Sequence, residues 1–211
     1  MNQLSQVALM AVIAYLIGSI PFGVIVGSLK GVDPRTCGSG NIGATNVLRV
    51  LGVGPGLAVL VLDIAKGWFP VWLAQAWHPF GATITPVAVL LVSLMALVGH
   101  AFSLFLRFQG GKAVATGCGV LLALNWHVGL ATAGVFLMVL ALSQYVSVAS
   151  MAGAFSSAIL MAFFTWRTPA FVPYVSLAVA AAVFIAWKHR GNIARLRAGT
   201  EPKFGRQRGV S

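Results

Sequence analysis

Residues 113–166 read AVATGCGVLLALNWHVGLATAGVFLMVLALSQYVSVASMAGAFSSAILMAFFTW, 54 residues without one Asp, Glu, Lys or Arg. A helix needs about 20 apolar residues to cross a bilayer, because each advances 1.5 Å through a hydrocarbon core ~30 Å thick. One crossing therefore cannot use this stretch. It has two soft breaks, Asn125-Trp126-His127 and Ser143-Gln144-Tyr145. The basic residues outside it set the parity. Lys30, Arg35 and Arg49 form one cluster, Arg107 and Lys112 a second, and Lys188, Arg190, Arg195, Arg197, Lys203, Arg206 and Arg208 a third. Cytoplasmic loops carry the Lys/Arg excess. With all three clusters on that side, 113–166 crosses three times. One of those passes is short, and 113–124 reads as a short or re-entrant helix.

The remaining passes follow outward from this stretch. Residues 1–29 give the first, kinked at Pro21 where a backbone N–H is missing. Residues 54–77 give the second, ended by the turn signals His78, Pro79 and Gly81, and 83–105 the third. Residues 168–187 give the last. The expectation is an all-α integral membrane protein with seven transmembrane helices, the N-terminus outside and the C-terminus cytoplasmic. One domain spans 1–211. Met1 to Gln6 lack the basic start of a cleaved signal peptide, so the first pass is read as retained.

Composition agrees. Hydrophobic residues make up 59% and charged residues 8%, against about 25% charged in soluble domains. The net charge of +11 in so apolar a chain points to anionic lipid beside cytoplasmic loops, not to nucleic acid. Cys37 and Cys118 do not form a disulfide framework. Asp63 and Lys66, three apart inside a span, are read as an ion pair. Gly23 and Gly27 form a G-x-x-x-G read as a helix-packing face. His78 and His127 fall on the outer side.

The chemistry-bearing residues collect on the inner face in three groups. The first, GVDPRTCGSGNIGATNVLR at 31–49, sets glycines 38, 40 and 43 among Ser39, Asn41, Thr45 and Asn46, with Arg49 adding a fixed charge. Glycines let backbone N–H groups approach an anion, and side-chain amides and hydroxyls add donors. The second is GHAFSLFLRFQGGKAVATG at 99–117. Gly110-Gly111-Lys112 leads into a helix starting near Ala113, a turn suited to anions, although the first glycine of a Walker loop is missing. His100 lies at the inner end of the third pass. The third group is KHRGNIARLRAGTEPKFG at 188–205, where His189, Asn192 and Arg195 share a helical face and Glu201 can orient a basic neighbour. Arg206 and Arg208 suit a polybasic tail on lipid headgroups.

These groups supply cations, glycine turns, hydroxyls and amides, and almost no carboxylates. They ask for phosphate-bearing ligands. No His, Cys or acid cluster has metal-ligand spacing, and no metal or cofactor is expected. The acyltransferase pattern of His followed by Asp after four residues is missing, since Phe105 and Ala194 stand there. An activated donor whose own phosphate accepts the proton would need no strong base. A phosphate transporter, an enzyme with an acyl-Ser39 intermediate activated by His189, and a structural lipid-binding protein are alternatives.

The segments SGNIGATN at 39–46, GHAFSLFLRFQGGKAVAT at 99–116 and KHRGNIARLRAGTE at 188–201 resemble the acyl-phosphate–glycerol-3-phosphate acyltransferase family, often called PlsY. GSIPFG at 18–23 and DIAKG at 63–67 are similar to it too. The resemblance covers nearly the whole chain. It implies seven membrane helices in the bacterial inner membrane, motifs facing the cytoplasm, and acyl transfer from acyl phosphate to the 1-hydroxyl of glycerol 3-phosphate. Lysophosphatidic acid and phosphate are the products, with no obligate protein partner. By motif position, it implies catalytic roles for Ser39, His189 and Asn192. Substrate binding falls to Arg49, Lys112, Gly110, Gly111, Thr116, Thr45, Asn46 and Arg195. Arg49, Lys112 and His189 would hold glycerol 3-phosphate, and the 110–116 turn with Thr116 the acyl phosphate. Many members have Pro where Ile42 stands and Gly where Ala113 stands.

Overall fold

The computed structural model describes residues 3–76 and 84–205. Its regular elements are all helical: α1 (Gln3–Ser19), α2 (Phe22–Ser28), α3 (Ala44–Leu51), α4 (Val53–Ala76), α5 (Pro86–Ala101), a 3-10 turn (Leu104–Leu106), α6 (Val114–Leu124), α7 (Trp126–Ser143), α8 (Val146–Phe164), α9 (Phe171–Lys188) and α10 (Arg190–Arg197). Six segments are long and apolar enough to cross a membrane, α1 and α2 together forming the first, and α6 is the shorter apolar helix. At 11 residues, α6 rises about 16 Å, about half a hydrocarbon core. It is the short pass expected at 113–124. The turn residues His78, Pro79 and Gly81, and the basic Arg206 and Arg208, lie outside the described residues.

Each break has a local cause. Pro21 cannot donate to the first helix, so α1 stops at Ser19 and α2 restarts at Phe22. The Ile20 carbonyl beside it accepts from Lys66 Nζ on α4 at 2.8 Å. Asn125 separates α6 from α7 by capping: its Oδ1 accepts from the His127 and Val128 amides at 3.1 and 3.3 Å. Gln144 ends α7 in the left-handed conformation, φ 62°. Both breaks fall where the polar residues predict them. Thr85 caps α5, with Pro86 in the first turn.

Packing follows α1 on α5, α4 on α6, α6 on α7, α7 on α8 and α8 on α9, with α3 lying on α4. Gly18 and Gly99 let α1 and α5 approach closely: a side-chain carbon at either would run into the Ala96 or Tyr15 carbonyl. Gly23 and Gly27 do otherwise than predicted. They abut Ile42, Val32 and Pro34, so this G-x-x-x-G packs against the loop after α2 and not against a helix. The loop's amide-rich turns need a backbone flat against α2, which explains the choice of glycine. Leu91, Ile159, Phe163 and Val172 are exposed, as lipid-facing side chains should be. Asp63 and Lys66 pair at 2.7 Å in the interior, and both cysteines are free.

Candidate active site

The loop between α2 and α3 is built around one buried amide. Asn46 Oδ1 accepts from the Ser39 amide at 2.7 Å, and its Nδ2 donates to the Pro34 and Cys37 carbonyls at 2.9 and 3.1 Å. Asn46 thereby fixes Ser39 and leaves Arg49, one turn along α3, beside it. The 99–117 segment is tied to His100. The Gly111 amide donates to the His100 carbonyl at 3.1 Å, and Thr116 Oγ1 lies 3.0 Å from His100 Nδ1. Gly111 also rests so close to the imidazole that a Cβ would collide with it. Ala113 enters α6 in the left-handed conformation, φ 60°, a position where glycine is the easier residue.

Lys112 leaves this turn toward α10. Its Nζ donates to Asn192 Oδ1 at 2.5 Å, and Asn192 Nδ2 donates to Glu201 Oε1 at 2.6 Å. Glu201 also accepts from Ser147 Oγ at 2.8 Å and Arg195 Nε at 2.7 Å. Glu201 thus orients Asn192 and Arg195. Phe204 donates its amide to the Gln144 carbonyl at 2.7 Å. That contact brings the α7–α8 turn to the same end as the C-terminal segment, as three crossings in 113–166 require.

These residues ring one end of a cavity of about 990 Å³. Ser39, Thr45, Asn46, Arg49, Lys112, His189, Asn192 and Arg195 all line it. Gly110, Gly111 and Thr116 do not; they stand behind the wall, packed on His100, which itself reaches the cavity. The predicted turn contributes instead through Lys112, Ala113, Val114 and Ala115 at the start of α6. Ser147, also lining, was not legible in the sequence, since its partner Glu201 lies 54 residues on. Only its spacing from Ser150, Gly153, Ala154 and Ser157 on one face of α8 sets it apart.

The charges leave this end electropositive. All three acids are engaged: Asp33 with Arg35, Asp63 with Lys66 and Glu201 with Arg195. Among the described residues, Arg49 and Lys112 face the cavity with no carboxylate ion-paired to either. Burial pushes the Lys112 ammonium down to about 8; Glu201 opposes this, while Arg195 and Arg49 add to it. Burial, with Lys112 nearby, pushes the His189 imidazole down to about 4, against the opposing pull of the Ile185 carbonyl and Glu201. His189 Nδ1 donates to Ile185 O at 2.8 Å, so its neutral Nε2 keeps a lone pair. Burial disfavours the Glu201 carboxylate, but hydrogen bonds from Asn192, Ser147 and Arg195 outweigh that and hold it below its ordinary range. Among the described residues no cluster of His, Cys, Asp or Glu can hold a metal ion.

Comparison with known proteins gives one answer. The family model for glycerol-3-phosphate acyltransferase matches residues 8–199. The chain is 46% identical over 207 residues to a glycerol-3-phosphate acyltransferase of Thermosynechococcus vestitus, covering 95% of this chain and 96% of that one. It is 45% identical to one of a Nostoc species, covering 97% and 94%. Two crystal structures share the fold, both of PlsY (YgiH), an integral membrane glycerol 3-phosphate acyltransferase. Its glycerol 3-phosphate form is 38% identical with a TM-score of 0.86, covering 95% of this chain and 96% of that one. Its lysophosphatidic acid form is 37% identical with a TM-score of 0.84 and the same coverage.

Proposed function

The chain belongs to the glycerol-3-phosphate acyltransferase family, and on that premise we propose that its acyl donor is an acyl phosphate and its lipid product lysophosphatidic acid. The 1-hydroxyl oxygen of glycerol 3-phosphate attacks the acyl carbon, and the bond from that carbon to the phosphate oxygen breaks. The hydroxyl proton leaves with the phosphate. One ester forms, one mixed anhydride is consumed, and no other reactant is needed.

The observation that carries this reading is the absence of a strong base among the residues at the polar end. Glu201 is occupied by three donors, and His189, held near 4, is a weak proton acceptor at neutral pH. Such a site suits a donor with a good leaving group that carries its own proton acceptor. A thioester, whose thiolate is a poorer leaving group, has no such help here. Ser39 shows no hydrogen bond to His189, which speaks against an acyl-serine intermediate. Two anionic groups match Arg49 and Lys112 on one side and the start of α6 on the other.

In this scheme Arg49, Lys112 and His189 hold glycerol 3-phosphate, with Thr45 and Arg195 at the rim. The acyl phosphate lies at the 110–116 turn, where Gly110, Gly111 and Thr116 support the amides from behind through His100. Asn46 acts by placing Ser39. Ser39 and the second Nδ2 hydrogen of Asn192 stabilise the oxyanion, a contact whose loss typically costs about 100- to 1000-fold in rate. The polar end faces the cytoplasm of a bacterial inner membrane, and the chain works as a single domain.

Purified protein in detergent, given palmitoyl phosphate and glycerol 3-phosphate, should release phosphate only when both are present. Palmitoyl-CoA should not substitute. Asn192→Ala should lower turnover about 100-fold or more. Turnover with the CoA ester, or none with the acyl phosphate from folded protein, overturns the proposal.

A further inference from the structure

The cavity does not end at the polar residues. It continues outward between α6, α7, α8 and α9, and on each helix the lining stops at a definite residue: Leu124, Thr132, Ser157 and Tyr174. Measured along each helix from its inner end, these lie about 15 Å (Val114 to Leu124), 16 Å (Ser143 to Thr132), 16 Å (Val146 to Ser157) and 21 Å (Lys188 to Tyr174) deep at 1.5 Å per residue. On α6, α7 and α8 the lining therefore stops at about 15–16 Å, and on α9 it runs about 5 Å deeper, to Tyr174. Beneath this floor, one turn further out, Val128 and Met161 are wholly buried and close the bundle.

Between site and floor, Leu121, Phe136 and Leu177 line the bore together with small residues on α8 and α9. The small residues are Ser150, Gly153 and Ala154 on α8 and Ala178, Ala181 and Ala182 on α9. Small residues usually let membrane helices close on each other. A Cβ placed on Gly153 would touch Phe136 and Thr132 of α7 at 3.6 Å, so α8 packs against α7 there and the bore lies to the side of that contact. The hydroxyls of Ser150 and Ser157 turn back onto the Val146 and Ala154 carbonyls, each at 2.7 Å, and present no unpaired donor to the bore. The bore is mostly apolar, with the Thr132 hydroxyl at its floor lacking a hydrogen-bond partner among the described residues. Its depth is close to the ~15 Å that one leaflet's acyl chains occupy.

We propose that the fatty chain of the donor is threaded into this arm and that Tyr174, with Leu124, Thr132 and Ser157, measures its length. The inference rests on the acyl-donor reading above and adds to it a specificity determinant. A second route exists: Leu60 on α4 and Leu137 on α7 line the same cavity and are exposed, so a chain lying sideways toward lipid would bypass the floor. The wholly buried Val128 and Met161 beyond Thr132 and Ser157 favour the blind arm.

The test is a competition among decanoyl, lauroyl, myristoyl, palmitoyl, stearoyl and arachidoyl phosphates, reading relative kcat/KM for wild type, Tyr174→Ala and Ala178→Phe. Ala178 lies one turn above Tyr174, so a phenyl ring there raises the floor by about 6 Å, roughly four to five methylenes. Each methylene denied burial should cost about fourfold. Ala178→Phe should shift the optimum to lauroyl phosphate or shorter, and Tyr174→Ala should raise arachidoyl over palmitoyl by about tenfold or more. If Tyr174→Ala fails to fold, Ala178→Phe decides alone. An unchanged chain-length profile in a folded, active variant overturns the proposal, and a profile moved by Leu137→Trp instead assigns the chain to the side opening. Wild-type turnover is the control. Its failure overturns the donor reading; its success with unmoved profiles overturns only the length gauge.

Discussion

Lys112 joins the turn before α6 to the C-terminal helix by its bond to Asn192, and it is the cation most sensitive to its surroundings. Burial lowers it to about 8, so the charged form dominates at neutral pH and is lost as pH rises through 8. An anion must meet a cation here. kcat/KM for glycerol 3-phosphate, which reports the free enzyme, should therefore fall along an alkaline limb near pH 8. Lys112→Arg keeps its charge well beyond that pH and should abolish the limb, at a lower absolute rate because a guanidinium cannot reproduce the bond to Asn192. A limb that persists in the variant would belong to another group. His189, held to about 4, contributes no limb between pH 5 and 8. Any acid limb near 6 belongs to the substrate phosphate.

At the scale of elements, α4 carries the costliest pair in the bundle. Asp63 and Lys66, 2.7 Å apart and with side chains 3% and 2% exposed, also reach beyond their own helix. Lys66 ties α4 to the break between α1 and α2 through the Ile20 carbonyl, and its ammonium sits 5.5 Å from the Phe22 ring centroid. Removing one member of a buried pair strands the other, at about 3–5 kcal/mol, whereas removing both is far milder. Lys66→Met should lower the thermal midpoint in detergent sharply, and Asp63→Leu/Lys66→Met should recover most of the loss. A single variant as stable as wild type would mean that the pair is not the fastener of the α1–α2 kink. This element was legible in the sequence as an i, i+3 pair. Its second bond was not, because nothing in the spacing of 20 and 66 announces that a helix break will lie opposite Lys66.

At the scale of the whole molecule, the three chemistry-bearing groups meet at one end of the bundle, and the proposed orientation, which follows the positive-inside bias, puts that end in the cytoplasm. Arg107 and Arg167 are both exposed and lie on opposite sides in this topology. In a Cys37→Ser/Cys118→Ser background, Arg167→Cys should react with a membrane-impermeant thiol reagent on intact cells. Arg107→Cys should react only after permeabilisation. The reverse pattern would invert the topology and place the site outside.

The sequence alone determined the number of passes, their breaks and the collection of cations on one face. Lipid offers backbone groups no partners, so each span must satisfy itself as a helix, about 20 residues long where it crosses fully, and Pro21, Asn125 and Gln144 act on their own neighbours. The tertiary structure alone decided which side chains meet. Lys112 finds Asn192 across 80 residues and Ser147 finds Glu201 across 54, while Gly110, Gly111 and Thr116 fall behind the cavity wall instead of in it. Helical hydrogen bonds are local and leave each helix free to rotate about its axis and slide in depth. Only packing of the helices against one another fixes those two freedoms, and with them the face each residue presents and the floor beneath the bore.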